Sequence, residues 1–172
     1  IVSKLSDRPY TGYVLGLNDS GQLTMFTSSA GGYGWNTGSG AVNDGQWHHV
    51  VATISGTTAT LYIDGQVDST GTCYAPDANT TNLMIGNQQA ASLWFDGDIG
   101  EVSLYDKALS GVEVASTYNG QDVAGANLVS SWDMEAAGTT VADSQGSNDG
   151  TIYGGGSSDL IENWPTGLQK MM

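Results

Sequence analysis

Short runs of alternating apolar and polar residues, each closed by a turn signal, constrain this chain more than any other feature. Tyr13–Leu17, Leu23–Thr27, Ala59–Ile63 and Ile99–Tyr105 all alternate with period two, the repeat of a strand that buries one face. Between such runs lie "NDSG" at Asn18–Gly21, "SGTT" at Ser55–Thr58 and "DG" at Asp64–Gly65, whose Gly, Asn and Asp suit tight hairpins. Turn signals spaced by roughly 8–12 residues predict an all-β sandwich or barrel; an open βαβ array would need helices between its strands. The 25 glycines among 172 residues agree, because many tight turns need them.

One helix competes with this pattern. In "LSGVEVASTYNG", Ser110 and Glu113 stand in capping-box spacing, and Gly120 after Asn119 is a natural stop. Two glycine-rich stretches read as irregular: "GGYGWNTGSG" at Gly31–Gly40 as a loop carrying aromatics, and "YGGGSSD" at Tyr153–Asp159 as the exit to a tail.

Charge narrows the partners. Four Lys+Arg against eighteen Asp+Glu give a formal charge of −14, which repels phosphate, so nucleic acid is not an expected partner. No run approaches the roughly 20 apolar residues of a spanning helix, so membrane insertion is not expected either. Cys73, the only cysteine, reads as a small buried hydrophobe.

The two histidines, His48 and His49, are adjacent in "DGQWHHVVATISGTTATLYIDG". Neighbours on a strand beginning near Trp47 point to opposite faces, so the pair cannot share a metal, and no HExxH or Cys partner adds ligands. Both are expected to fill or edge the sandwich.

"NDGQWHHVVATISGTTATLYIDGQVDSTG", then "NLMIGN" and "FDGDIGEVSLYDKALSGVEVASTYN", resembles the laminin G-like, concanavalin A-like jelly-roll domains of the bacterial and viral branch. The resemblance implies a two-sheet antiparallel jelly-roll sandwich with one short helix, and makes the Trp-His-His-Val unit scaffold. Its core would span residues 1–120. Residues 121–155, with "LVSSWDMEAAGTTVADSQGSNDGTIYGG", resemble the opening of such a domain placed after its close. These strands could complete this sandwich or pair with another chain. Residues 156–172 form a tail whose "SDLIENWP" is similar to the ends of laminin G-like proteins on marine tailed phages.

Binding of a sugar needs an aromatic face beside polar side chains. Tyr33 and Trp35, and Trp94 near Asn87 and Gln88, meet that requirement, and each aromatic could instead be core or an interchain contact. Calcium is the one candidate cofactor, since hard oxygen ligands abound. By the family's rim site, one ligand would fall near Asp77 or Asn79; the other would fall near Thr11, where an acid is missing, leaving Asp19 in the next turn as the substitute. Asp143, Asn148 and Asp149 in "SQGSNDG" are either a second oxygen-rich cation loop or a polar turn. Catalysis is not expected, because the Glu-x-Asp-x-x-Glu of laminarinase-like relatives is missing and the acids of "FDGDIGEVSLYD" (Asp96, Asp98, Glu101, Asp106) are differently spaced.

The expected function is a non-enzymatic recognition or adhesion module, outside a cell or on a virion surface, binding a glycan. The alternative is a structural decoration or fibre protein held by neighbouring protein subunits.

Overall fold

The turn chemistry delivers antiparallel hairpins. The computed structural model describes residues 1–6, 9–88, 93–121, 123, 128–134, 136–137 and 139–153. Its elements run β1 (Val2–Leu5), β2 (Gly12–Leu17), β3 (Gln22–Ser29), β4 (Gly32–Ala41), β5 (Val50–Ser55), β6 (Thr58–Ile63), β7 (Gln66–Thr72), β8 (Met84–Ile85), β9 (Asn87–Gln88) and β10 (Leu93–Trp94). There follow β11 (Val102–Tyr105), α1 (Gly111–Tyr118), β12 (Leu128–Trp132), β13 (Ala136–Ala137), β14 (Thr140–Val141) and β15 (Gly150–Thr151). At the β6–β7 turn, Asp64 and Gly65 take φ of 50° and 76°, the pair of positive values that a two-residue hairpin requires.

Two layers result, an all-β antiparallel sandwich. One sheet orders its strands β4-β3-β2-β1-β8 and the other β5-β6-β7. Alternation sets what lies between them: Leu15, Leu23 and Met25 from the first sheet meet Val50 and Leu61 from the second. The opposite face of the second sheet carries Val51 and Tyr62, over which α1 packs Val114, with Leu109 beside it. Ser110 Oγ accepts the Glu113 N–H, and the Glu113 carboxylate accepts the Ser110 N–H, completing the expected capping box.

The C-terminal segment docks in the same chain. Strand β12 pairs with β11, Trp132 opposite Val102, and Trp132 and Val141 join Val2 and Val102 in a second buried cluster. The tail, residues 156–172, lies outside the described residues. Strand ends shift from expectation: β5 begins at Val50, since His48 and His49 are held by side-chain bonds ahead of it, and β11 begins at Val102.

The largest departure is Gly31–Gly40. It is no loop; Gly32–Ala41 is β4, paired along β3 with Trp35 opposite Phe26. Its glycines alternate with Tyr33, Trp35, Thr37 and Ser39, so they share a face that other groups approach closely. A Cβ at Gly32 would come within 2.8 Å of the Tyr74 ring, and one at Gly38 within 1.9 Å of the Asp68 carboxylate. That carboxylate accepts the N–H groups of Ser39 and Gly40 and the Ser39 hydroxyl, fastening β4 to β7. Glycine here serves close packing rather than turning.

Candidate functional site

The glycine face of β4 turns inward, so its odd-numbered side chains point outward. Tyr33 and Trp35, 67% and 61% exposed, sit two residues apart on that outer face, roughly 7 Å along the strand. Phe26 of β3 supports both: its ring centroid lies 4.6 Å from that of Trp35 and 6.0 Å from that of Tyr33, at tilted angles. Phe26 itself is buried. Exposed Thr37 and Ser39 continue the same face with hydroxyls. The result is a pre-positioned aromatic strip flanked by hydrogen-bonding groups.

The other expected aromatic lies elsewhere. Trp94 pairs with Asn87, and Leu93 with Gln88, in the short β9–β10 hairpin. Trp94 is 74% exposed, and the Asn87 Oδ1, shielded from solvent, has no hydrogen-bond partner among the described residues. This hairpin follows β8 at one edge of the five-stranded sheet while β4 forms the other edge, roughly 19 Å away across four strand spacings. Tyr33 and Trp35 therefore form one candidate surface, and Asn87, Gln88 and Trp94 a separate one.

The residues expected to hold calcium do not fit it. Asn79 directs its amide N–H group to the carbonyl oxygens of Lys4 (3.3 Å) and Thr11 (2.7 Å), while its Oδ1 accepts the Thr81 N–H. The Lys4 ammonium bonds the Thr81 carbonyl, adding a positive charge to the same rim. Asp77 accepts the Ala30 N–H at 2.7 Å. Asp19 follows the far end of β2, about 20 Å from Thr11, whereas calcium holds its oxygens at about 2.4 Å. The carbonyls that would face a cation are thus taken by an amide donor.

The "SQGSNDG" loop is organised as a polar turn. Asp143 accepts the N–H groups of Ser131, Gln145 and Asn148. Burial opposes its charge, yet these bonds prevail and hold its carboxyl far below the usual range. Among the described residues, no three His, Cys, Asp or Glu side chains group as metal ligands would.

The histidines, just ahead of β5, diverge as the expected alternation would have them. His48 bridges two carboxylates, Nδ1 to Asp64 at 2.9 Å and Nε2 to Asp44 at 3.0 Å. Partial burial works against its charge, but the two hydrogen-bonded carboxylates outweigh that and raise its pKa. His49 is buried under α1, its Nε2 3.4 Å from the Thr117 hydroxyl and its ring against Tyr118. Asp64 ties the pair together by accepting the His49 N–H as well. These contacts make the Trp-His-His-Val unit and the Asp64–Gly65 turn one scaffold.

A groove of about 350 Å³ was not anticipated. It is lined by Asn43, Gln46, Trp47 and His48 from one loop and Phe95, Asp96 and Asp98 from another, with Ile1 and Leu17. The sequence signal was there, an aromatic beside a Gly-containing acidic turn in both "NDGQW" and "FDGD", but each block also serves the scaffold. Of the other acids in that second block, Glu101 is buried, accepting the Ser103 and Ser131 hydroxyls, and Asp106 is exposed.

The third laminin G family model, described as the concanavalin A-like lectin/glucanases superfamily, matches residues 1–115. No curated protein matches the chain. Among solved structures, a candidate carbohydrate-binding protein from Bacteroides ovatus is similar at 16% identity and a TM-score of 0.64, over 81% of this chain and 44% of that one. An S-layer domain-containing protein from Clostridium thermocellum is similar at 25% identity and a TM-score of 0.42, over 66% of this chain and 58% of that one. The match thus spans 44–58% of the length of these two solved chains.

Proposed function

The chain belongs to the concanavalin A-like lectin/glucanases superfamily, and from that premise we propose that it is a non-enzymatic carbohydrate-recognition module acting outside the cell or on a virion. The observation that carries this reading is the Tyr33–Trp35 strip: two large rings left exposed yet fixed from the side by Phe26. Sugar C–H faces stack on such rings, and Thr37 supplies a hydroxyl partner along the same strand, with the Ser39 oxygen, whose proton goes to Asp68, left as an acceptor. An open strip on a rigid strand suits an extended polysaccharide, because little must be ordered on binding.

A glycan array on the purified chain, with and without a chelator and repeated on Trp35→Ala, tests the proposal. Selective binding that Trp35→Ala weakens about tenfold or more is expected, the size usual for an exposed aromatic anchor. Binding that is indifferent to Trp35→Ala overturns the assignment to this face.

A second reading is a structural decoration or fibre role through neighbouring subunits. It is favoured by Leu93 and Trp94, 60% and 74% exposed on one hairpin, since large exposed apolar residues mark contact surfaces. Absence of any glycan bound, together with concentration-dependent association that Trp94→Ser abolishes, would favour this reading.

A further inference from the structure

We infer that the groove between the Asn43–His48 and Phe95–Asp98 loops is a second carbohydrate subsite, one that takes a single uncharged pyranose ring. The inference rests on the carbohydrate reading above and assigns a ligand to a different part of the molecule.

Size comes first. A volume of about 350 Å³ lies at the low end of ligand pockets, which run from about 300 to 1,000 Å³, and suits one ring better than a chain. The lining has the chemistry a pyranose needs. Trp47 and Phe95 come from opposite loops and offer aromatic surface to a sugar C–H face. Asn43, Gln46, Asp96 and Asp98 are exposed beside them. The carboxylates of Asp96 and Asp98 carry no hydrogen bond among the described residues, so their oxygens are available to accept sugar hydroxyls. The same carboxylates, in a chain of net charge −14, repel uronic and other acidic sugars.

Both loops are held before any ligand arrives. Asp44 accepts the Gln46 N–H and the His48 ring, and His48 is anchored in turn to Asp64 at the β6–β7 turn. Asn43 packs so closely on Gly21 that a Cβ there would come within 2.2 Å of its side chain. On the other side, the Phe95 N–H donates to the Gly86 carbonyl, and the Gly86 N–H to that of Ile1. Fixed loops lower the ordering cost of binding.

The test is residue-resolved NMR titration of the full chain with methyl glycosides of glucose, galactose, mannose and N-acetylglucosamine, and with glucuronic acid. At least one neutral glycoside should shift the amide signals of Asn43–His48 and Phe95–Asp98 at millimolar concentration, and glucuronic acid should not. Asp96→Ala with Asp98→Ala, both at exposed positions, should weaken those shifts about tenfold or more, with unchanged β3–β4 signals reporting an intact fold. If the neutral glycosides leave both loops unshifted, or the double variant binds as well as the parent, the groove inference fails. Shifts confined to Tyr33–Thr37 would refute the groove while sustaining the β4 surface; no shift at either place would refute the groove, while the glycan array decides the β4 strip separately.

Discussion

Mild acid should loosen the helix from the sandwich, and His49 sets the magnitude. Burial under α1 lowers the His49 pKa from 6.5 to about 4, partly opposed by the Asp64 charge. Its Nδ1 has no hydrogen-bond partner among the described residues, and the residue is 1% exposed, so the neutral form is the one that fits. The unfolded chain therefore takes up a proton near pH 6.5 that the folded chain refuses until about pH 4. The stability that depends on His49 is complete above pH 6.5 and falls as the pH drops toward 4. A difference of 2.5 units at 1.36 kcal/mol per unit gives a limit of about 3 kcal/mol, of which about 2 kcal/mol is lost by pH 5. For a domain of this size that corresponds to a fall of roughly 4–8 °C in Tm. His48 has the opposite sign: its raised pKa means its contribution is complete below pH 6.5 and declines only above it. The buried Ile1 amino group, lowered from 8.0 to about 6, acts mostly above pH 6, and the lowered carboxyls of Asp143 and Glu113 act below pH 4.5, so the window from 6 to 4.5 belongs mainly to His49. Thermal unfolding across that window, on the parent and on His49→Leu, is the assay. A parent whose Tm is flat, or a His49→Leu variant that falls as steeply, would refute the reasoning.

Two further predictions concern the rim and the C-terminal strands. A chelator should leave Tm unchanged, whereas Asn79→Asp, which replaces the amide donor between the Lys4 and Thr11 carbonyls by an acceptor, should lose stability in chelator and regain part of it in millimolar calcium; a calcium-dependent Tm in the parent would refute the role of Asn79 as the group that fills the rim. Trp132→Ala should cost about 3–5 kcal/mol by denaturant unfolding, because the ring is buried with Val2 and Val102 and its Nε1 donates to the Asn148 carbonyl; a loss under about 1 kcal/mol would mean that β12 does not close this sandwich.

Local rules carried much of the architecture. Alternation at Tyr13–Leu17 and Ala59–Ile63, the Asp64–Gly65 turn and the Ser110–Glu113 box each encode their own structure, because the period, the positive φ and the cap bonds involve residues a few positions apart. His48 and His49 do point apart, but ahead of β5, where their bonds to Asp44, Asp64 and Thr117 set their directions. The exposed aromatics at positions 33, 35 and 94 were legible as residue types suited to sugar.

What the sequence alone could not determine depends on residues far apart in it. The glycines of Gly31–Gly40 look like a flexible loop until Tyr74 and Asp68 arrive, some 30 to 40 positions later, and require a face without side chains. That packing makes the stretch a strand and sends Tyr33 and Trp35 outward. Likewise, Asn79 has the chemistry of a calcium ligand, and only its meeting with the Lys4 and Thr11 carbonyls turns it into the donor that fills the rim. The groove joins loops about fifty residues apart. Sequence fixes the conformations that neighbouring residues can enforce on one another; the fold decides which distant groups share a space, and it is those groups that make a site.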